Sequence, residues 1–469
     1  MSQNTHADHP YIGRQAVSTA EQTAEALASL NADRSPGGRD AVEVVYYFEL
    51  EHQGRALDGL ANAAKMVLEH GTLKPWHAEG DASVRKPDDY DQFMSWATDI
   101  QLLDSGPGWE SGLVGIAYPL AFFDKRSDGR VPLSQLLMAM ASEPFSAFSF
   151  YRSAKIIDVR FPPSLRSRFP GLRWGHDRVR AYLGLAADEP IIGTIVKPKT
   201  GLTPELFSRS VVEAARAGAR FTKADENMHL SLKDVTRYVR QVCRDLRAAG
   251  FDLGRSEHPT GRRFLFAPHI TTDADSLDDY AQAALEAGAN ALMFSPYWSG
   301  GFLPMSRIVD KYDVPVYAHT AGMNVMSGSP FWGIDSRVHY VMAALFGAAF
   351  MQLTTMSGYL RPLDVEKAPI IEALRRNGLE GERGMTLAIA GGMGPKVLGA
   401  NVRALGEAGR MFLAGTSVYS HPDGPAAGVQ AMVAAYLAYR QEGIVDIEGL
   451  RRFASRLGGV QGRALQRSL

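Results

Sequence analysis

The feature that most constrains the fold is an eightfold alternation of short apolar runs with helical patterns after residue 190. Each run is short and largely apolar and predicts a strand. The eight runs are Ile191–Lys197, Ala219–Ala224, Phe264–Ile270, Ala291–Ser295, Pro315–His319, Phe350–Thr354, Thr386–Ala390 and Met411–Ala414. Strands that alternate with helices pair in parallel. Eight such units predict a (β/α)8 barrel of the TIM type.

The segments between these runs carry the matching helical signals. The clearest helical stretches are Pro204–Ala217, Leu232–Ala249, Ser276–Ala287, Val365–Asn377 and Pro395–Ala408. Several are followed by a glycine, which is typical of a helix C-terminus; these glycines are Gly218, Gly250, Gly288 and Gly378. A doubly wound open sheet is the alternative α/β fold, but no Gly-x-Gly-x-x-Gly turn follows the first strand. The barrel is therefore preferred.

The first 163 residues follow a different pattern, with a β-rich run, an amphipathic helical stretch and further strand-like segments. These elements are Val42–Leu50, Arg55–Glu69, Gly112–Phe122 and Phe148–Phe161. They predict an α+β domain of the ferredoxin-like kind, which ends near Pro162 and Pro163 because two prolines stop any regular element. The predicted organisation is a flexible arm over 1–40 with a short helix near Thr19–Leu30, the α+β domain over 41–163 and the barrel over 164–469.

Composition narrows the partners of the protein. Lys and Arg number 50 against 51 Asp and Glu, so no charge excess favours nucleic acid or an anionic membrane. The longest apolar stretch, Tyr340–Met351, is shorter than the roughly 20 residues that a membrane span needs. Residues 1–40 lack the apolar core of a secretory signal, and a single cysteine, Cys243, forms no intrachain disulfide. We expect a soluble cytoplasmic protein.

The second predicted strand ends in a charged cluster, Lys223-Ala-Asp225-Glu226-Asn227. Active sites of (β/α)8 barrels lie at the carboxyl ends of the strands, and unpaired charges are expensive to bury there. Two adjacent carboxylates suit Mg²⁺, which accepts one or two protein carboxylates and keeps positions open for substrate oxygens. Lys223 then either pairs with the carboxylates or is carbamylated and becomes a third oxygen ligand. A plain salt-bridge cluster at the barrel rim is the alternative.

Other strand ends carry further candidates. Lys197 and Lys199 flank a proline after the first strand, and two neighbouring ammonium groups lower each other's pKa, as a proton-transferring lysine near neutral pH requires. A solvated rim pair is the alternative interpretation. His319 ends the fifth strand. Glycines after the seventh and eighth strands leave backbone N–H groups open to a phosphate; these are Gly391, Gly392 and Gly415.

Two segments resemble the strongest motifs of the ribulose-bisphosphate carboxylase (RuBisCO) large subunit: Gly193-Thr-Ile-Val-Lys-Pro-Lys-Thr-Gly-Leu and Phe221-Thr-Lys-Ala-Asp-Glu-Asn. Later segments fit in order and spacing: Ser299-Gly-Gly-Phe, Ala318-His319, Ala390-Gly391-Gly392 and His421-Pro422. The similarity runs from residue 42 to about 440 and is dense only over 191–227. An α+β domain followed by a barrel is also the architecture of this family.

The resemblance implies roles for the cluster on the first two strands. Lys223 matches the lysine that the family carbamylates with CO₂, and Asp225 and Glu226 match the two Mg²⁺-binding carboxylates. Lys197 matches the lysine that handles protons on the substrate's enediolate, and Lys199 matches a second, supporting lysine. Mg²⁺ and CO₂, the latter as a lysine carbamate, are the implied cofactors.

The resemblance also implies a set of substrate-binding residues and a partner subunit. His319 matches a histidine that contacts substrate hydroxyls, and Gly391, Gly392 and Gly415 match the glycines that hold one phosphate. Glu69 resembles the glutamate that the N-terminal domain lends to a neighbouring subunit's site. This implies a homodimer or higher homo-oligomer with shared active sites.

The departures from the carboxylase pattern are equally informative. Thr320, Gln352 and Ala390 stand where the family has an arginine, a histidine and a serine that help hold the second phosphate. The loop over residues 356–360 lacks the lysine that steadies added CO₂, and Pro144 stands at the position of an N-terminal asparagine. The pattern is therefore most similar to the RuBisCO-like proteins of form IV. These imply Mg²⁺-dependent enolisation of a keto-sugar with a single phosphate, by isomerisation, tautomerisation or decarboxylation, without CO₂ fixation.

Two other functions stay open at this point. One is a non-catalytic binding or regulatory protein on the same scaffold, and the other is a true carboxylase. Lys223 among carboxylates favours an enzyme, because a binding module has no reason to keep it. Some sulfur-salvage relatives use a lysine of the N-terminal domain as base, and only Glu143 or Lys155 lie near that position here.

Overall fold

The computed structural model describes residues 9–469 except 35, 53, 77–82, 124–128, 142–144, 146–149, 187–188, 257, 357 and 359. The chain divides into two compact units. Unit 1 comprises Met1–Gly171, Met323–Val341 and Ala368–Asn377. Unit 2 comprises Leu172–Gly322, Met342–Lys367 and Gly378–Leu469.

Unit 1 is built on a five-stranded sheet with the order β12-β4-β1-β3-β2. Its strands are β1 (Ala41–Glu51), β2 (Trp96–Gly106), β3 (Trp109–Pro119), β4 (Tyr151–Arg160) and β12 (Trp332–Ile334). The first four pair antiparallel, and β12 runs parallel to β4. Its helices are Ala20–Leu30, Asp58–His70, Leu133–Ala141, Pro163–Arg166 and the short Met323–Ser327.

Alternation of apolar residues explains why β1 forms a strand. Val42, Val44, Tyr46, Phe48 and Leu50 are all buried and lie on one face of the sheet, because side chains of a strand point alternately to opposite faces. Helix Asp58–His70 packs against the sheet. The predicted β-rich run over 42–50 and the helix after it are therefore present.

The opposite face of the sheet is covered partly by the start of the chain. Tyr11 and Ile12 belong to a buried apolar cluster with Tyr47, Leu103 and Ile157. The Tyr11 hydroxyl also donates a 2.7 Å hydrogen bond to Asp335 Oδ2. The helix expected near Thr19–Leu30 begins at a capping box, in which the Thr19 and Gln22 side chains and backbone N–H groups bond reciprocally.

Unit 2 contains the predicted barrel. Its eight parallel strands are β5 (Ile191–Ile195), β6 (Phe221–Lys223), β9 (Leu265–Ala267), β10 (Leu292–Phe294), β11 (Val316–Ala318), β13 (Phe350–Thr354), β14 (Thr386–Ala390) and β15 (Arg410–Ala414). They follow the order β10-β11-β13-β14-β15-β5-β6-β9. A parallel bridge between His269 and Met293 joins the two end strands, with Met293 N donating to Pro268 O at 3.0 Å. The barrel prediction is confirmed.

The barrel interior is filled by side chains, and this packing explains why position 193 is a glycine. A Cβ atom added to Gly193 would lie 2.8 Å from Leu413 Cδ1, so a larger residue would collide with the core. The rings of Phe221, Tyr317 and Phe350 pack together there with centroids 5.1 to 6.2 Å apart. This packed interior leaves the strand ends as the place for chemistry.

The five helical stretches predicted after residue 190 form helices whose bounds agree to within a few residues. Beginning or lying within unit 2 are His176–Leu183, Pro204–Ala217, Leu232–Ala248, Leu277–Glu286, Phe302–Tyr312, Asp364–Arg376, Pro395–Leu405, Thr416–Tyr419, Gly424–Glu442, Ile447–Leu457 and Gly459–Ser468. Helix Ser336–Leu345 joins the two units in sequence, and a small pair of strands, β7 (Phe251–Asp252) and β8 (Arg262–Arg263), lies before β9. Cys243 is a buried free thiol, and none of the described helices has the length and apolarity for a membrane span.

A buried histidine at the base of the barrel predicts a stability that depends on pH. Burial, followed by the nearby Arg180 and Arg410, lowers the pKa of His176 to about 4 from an ordinary 6.5. Below pH 6.5 the unfolded chain therefore binds a proton at His176 that the folded chain does not bind until the pH approaches 4. His176 thus lowers the free energy of unfolding as the pH falls from 6.5 towards 4. From pH 7.5 to 5 we expect a loss of about 2 kcal/mol in the free energy of unfolding from this residue.

Urea unfolding of the wild type and of His176→Asn at the two pH values tests this. Asparagine keeps a polar partner for the Thr386 hydroxyl, which lies 3.0 Å from His176 Nδ1. Between pH 7.5 and 5 the free energy of unfolding of the variant should fall by about 2 kcal/mol less than that of the wild type. An identical pH dependence in the two proteins would contradict the assignment.

Candidate active site

Lys223 is the last residue of β6 and is completely buried. Its ammonium group donates to Ala224 O at 3.1 Å and to Glu226 Oε2 at 3.2 Å, and it lies 5.7 Å from the centre of the Tyr317 ring. Burial lowers the pKa of Lys223, and Glu226 opposes this shift. The lysine is thus buried at the carboxyl end of its strand and forms an ion pair with Glu226.

Asp225 is also buried and accepts hydrogen bonds on both carboxylate oxygens. The Asn227 backbone N–H and side-chain amide donate to Oδ1 at 3.0 and 3.1 Å, and the Lys197 ammonium donates to Oδ2. Burial acts to raise the pKa of Asp225, but the hydrogen bonds from Lys197 and Asn227 outweigh it, so the pKa lies below its usual range. A charged carboxylate is held in place beside a lysine.

His319, directly after β11, completes the cluster. Its Nδ1 accepts the Ala321 backbone N–H at 3.1 Å, which assigns the ring proton to Nε2. Nε2 lies 3.3 Å from Glu226 Oε2, and among the described residues it has no partner in good hydrogen-bond geometry. Burial and the Lys223 charge lower the pKa of His319. A neutral imidazole therefore presents an N–H donor beside the second carboxylate.

The cluster has the chemistry of a two-carboxylate Mg²⁺ site. Within the described part of the chain, no group of three or more His, Cys, Asp or Glu side chains could hold a metal ion. Asp225 and Glu226 nevertheless supply two hard oxygen ligands, and each faces a lysine ammonium in this structure. A carbamate on Lys223 would supply the third oxygen. The residues present therefore fit Mg²⁺ bound to a carbamylated site.

One of the two glycine turns, at Gly415, lies next to Lys197. Gly391 and Gly392 have φ angles of 80° and 86°, in the left-handed region that favours glycine. A Cβ added to Gly415 would lie 3.2 Å from Lys197 Cε. The two turns also touch each other, because the Ser417 hydroxyl donates to Met393 O at 2.6 Å. Contacts thus connect the seventh, eighth, first, second and fifth strands of the barrel.

Two of the predicted site residues are not brought into this cluster. Lys199 is exposed, and among the described residues it forms no hydrogen bond or ion pair. Glu69 lies in unit 1, in helix Asp58–His70, where it is 3.7 Å from Lys65 Nζ. It lines a cleft of about 830 Å³ formed with helix Ala20–Leu30. The roles suggested for Lys199 and Glu69 stay predictions.

Several positions that differ from the carboxylase pattern can be placed. Ala390 is the buried last residue of β14, Gln352 lies in β13 and Thr320 follows β11. Lys155 is buried in β4, and its ammonium donates to Ser327 O at 2.9 Å and to Ser329 O. These bonds give Lys155 a structural role within unit 1. Residues 143 and 144 and two of the five loop residues over 356–360 lie outside the described residues.

Lys367 is a further residue of this region, and no motif in the sequence points to it. It is a buried lysine in helix Asp364–Arg376 whose side chain reaches Thr355, directly after the sixth strand. A lysine within a helix usually faces solvent, so its position in the sequence carries no signal. Only its hydrogen bond to the Thr355 carbonyl shows that it lies at the carboxyl end of the barrel strands.

Comparison with known proteins identifies the family. Residues 177–454 match the sequence profile described as ribulose bisphosphate carboxylase large chain, catalytic domain. The chain belongs to the RuBisCO large-chain family. The match covers the barrel strands, the charged cluster after β6 and the glycine turns, and it confirms the predicted family and fold.

Relatives within the RuBisCO family carry different activities in their names. A ribulose bisphosphate carboxylase from Methanocaldococcus jannaschii is 25% identical over 396 residues, 82% of this chain and 88% of that protein. A 3-oxo-isoapionate-4-phosphate decarboxylase from Rhizobium etli is 26% identical, covering 61% and 67% of the two chains. A 2,3-diketo-5-methylthiopentyl-1-phosphate enolase from Geobacillus kaustophilus is 25% identical, covering 76% and 84%.

A solved structure shows the same fold. The dimeric archaeal RuBisCO from Hyperthermus butylicus superposes with a TM-score of 0.73 at 24% identity, covering 92% of this chain and 96% of that one. The likeness extends over both units and supports the architecture of an N-terminal sheet domain followed by a barrel.

Proposed function

We propose that this protein is a RuBisCO-like enzyme that uses Mg²⁺ to enolise a keto-sugar carrying one phosphate, and that it isomerises, tautomerises or decarboxylates that substrate without fixing CO₂. The observation that carries the proposal is the pairing of Lys197 with the buried Asp225, and of the buried Lys223 with Glu226, at the end of β6. Relatives named as an enolase and a decarboxylase of phosphorylated substrates support it.

Asp225, Glu226 and a carbamate on Lys223 are the proposed metal ligands. RuBisCO family members generally use Mg²⁺ with a carbamylated lysine. The lowered pKa of Lys223 favours this, because the neutral amine is the form that combines with CO₂. Bound Mg²⁺ would polarise a substrate carbonyl and so acidify the neighbouring carbon.

Lys197 is the proposed proton-transfer group. Its ammonium contacts Asp225 Oδ2, and its Cε lies against Gly415, so its tip stands between a metal ligand and a glycine turn. In its neutral form the amine accepts a proton from the substrate carbon, and the resulting ammonium returns it to another atom. His319 Nε2–H is proposed to donate to a substrate hydroxyl. Lys199, two residues after Lys197 and exposed, is proposed to support Lys197.

The backbone N–H groups of Gly391, Gly392 and Gly415 are proposed to bind the phosphate. Thr320, Gln352 and Ala390 carry no charge, so the positions that hold a second phosphate in carboxylases provide no cation here. This favours a substrate with one phosphate over ribulose bisphosphate. Glu69 of one subunit is proposed to complete the site of another, in a homodimer or larger homo-oligomer; the relative from Hyperthermus butylicus is dimeric.

Solvent deuterium exchange followed by mass spectrometry tests the function. A panel of single-phosphate ketoses and keto-sugar acids is incubated with the protein, Mg²⁺ and bicarbonate in D₂O. We expect one member to exchange a carbon-bound proton or to release CO₂, and EDTA to stop the reaction. Ribulose 1,5-bisphosphate with labelled CO₂ should give no fixed product.

Other outcomes would redirect the assignment. Fixation of labelled CO₂ would identify a true carboxylase. No reaction with any panel member, together with no Mg²⁺ binding by calorimetry, would favour a non-catalytic binding protein on the same scaffold.

A further inference from the structure

Lys367 is a buried lysine that the proposed reaction leaves without a role. Its side chain is 1% exposed, and its ammonium group donates to Thr355 O at 2.8 Å and to Asp364 Oδ1 at 2.6 Å. Burying an ammonium group is unfavourable unless its protons find acceptors. The bond to Asp364 is an ordinary pair within a helix turn, but the bond to Thr355 joins the helix to the catalytic end of β13.

Thr355 in turn holds the glycine turn after β14. Its backbone N–H donates to Ala390 O at 3.0 Å, and its hydroxyl donates to Gly391 O at 2.5 Å. A peptide unit is planar and trans, so its carbonyl and the following N–H point in opposite directions. Because Thr355 fixes the Gly391 carbonyl, it also fixes the direction of the Gly392 N–H, away from Thr355.

The glycine turn needs such an outside restraint. Gly391 and Gly392 both have positive φ, and glycine has no side chain that would restrict rotation of the peptide unit between them. A second contact holds the same corner, since Asn401 Oδ1 accepts the Met356 N–H at 2.7 Å. Asn401 lies in helix Pro395–Leu405, which begins directly after the turn.

We propose that Lys367 is a positioning residue for the phosphate-binding turn: it holds the Thr355 carbonyl, and Thr355 orients the Gly391–Gly392 peptide so that the Gly392 N–H faces the phosphate. This inference rests on the proposed function, in which that N–H binds the substrate's phosphate. Lys367 itself does not touch the substrate.

Matched substitutions on the full-length protein test the proposal, with inorganic phosphate as the probe and calorimetry as the measurement. Thr355→Val keeps the branched shape but removes the hydroxyl, and Thr355→Ser keeps the hydroxyl. Lys367→Met removes the ammonium group at similar length. Arg375→Met is the control, because Arg375 lies on the same helix but is exposed and pairs with Glu372.

We expect Thr355→Val and Lys367→Met to weaken phosphate binding about tenfold, the effect of one lost orienting hydrogen bond. Thr355→Ser should restore most of the affinity, and Arg375→Met should stay within about twofold of the wild type. With a phosphorylated substrate, Thr355→Val should raise KM more than it lowers kcat, because the phosphate lies away from the reacting carbon.

The outcomes separate this inference from the function on which it rests. Wild-type affinity in both Thr355→Val and Lys367→Met, even with lowered thermal stability, would show a purely structural role and overturn the proposal. If the wild type itself bound no phosphate, the phosphate turn of the proposed function would fail, and the positioning role with it.

Discussion

Asp225→Asn is expected to abolish Mg²⁺ binding and to slow the Mg²⁺-dependent exchange by at least about a thousandfold, because metal polarisation of a carbonyl contributes several kcal/mol to such a step. Asp225 is 1% exposed, and its charge is held by Lys197 and Asn227. Asparagine has the same shape and still accepts the Asn227 N–H, so the local backbone should persist. Only the charge that a divalent cation requires is removed.

Isothermal calorimetry with Mg²⁺ and the deuterium-exchange assay measure the two effects. Asp234→Asn is the control, because Asp234 belongs to the same βα unit but lies in the partly exposed first turn of helix Leu232–Ala248. The control should retain Mg²⁺ affinity and exchange. Normal Mg²⁺ binding and exchange in Asp225→Asn would contradict the metal assignment.

Lys223→Met extends this test to the third proposed ligand. Methionine has a similar length and suits a fully buried position, so the variant should fold. If Lys223 binds CO₂, carbon-13 NMR of the wild type with labelled bicarbonate should show a carbamate signal that is missing in the variant, and Mg²⁺ affinity should fall. A wild type without that signal would indicate that Lys223 acts only as a cation beside Glu226.

Lys197→Met is expected to slow exchange by about a hundred- to ten-thousandfold while Mg²⁺ binding is kept, since general acid–base catalysis contributes on that scale. The Lys197 ammonium contacts Asp225 Oδ2, so its removal takes a positive charge away from a proposed metal ligand. Mg²⁺ affinity should therefore be unchanged or higher. This combination separates a proton-transfer role from a metal-binding role.

The exchange assay and Mg²⁺ calorimetry are repeated on Lys197→Met with two comparisons. Lys233→Met removes an exposed lysine at the start of helix Leu232–Ala248 and should leave both values unchanged. Lys199→Met should have a smaller effect than Lys197→Met, because Lys199 is exposed. Full exchange in Lys197→Met would assign the proton transfer to another group.

Much of the fold could be predicted because it is encoded by local patterns. The apolar run over 350–354 can be recognised as a strand from its own residues and the helical segments on either side of it, and β13 forms at those positions. The first strand of the barrel is shorter than predicted, because its regular pairing ends at Ile195, opposite Lys223, the last residue of β6. The charged cluster from Lys223 to Glu226 could be predicted for the same reason, because its residues are adjacent in the sequence.

The sequence by itself determined the eight strands, the barrel and the charged cluster at the end of β6, since periodicity and short motifs are properties of adjacent residues. Only the tertiary structure decided that Trp332–Ile334 pairs with β4 and that Lys155 and Lys367 are buried. Both lysines are held by backbone carbonyls of other segments. Lys155 donates to carbonyls 172 and 174 residues further along the chain, and Lys367 donates to the Thr355 carbonyl after β13. A lysine's own sequence context does not reveal such carbonyls, because they become available only when the chain has folded around them.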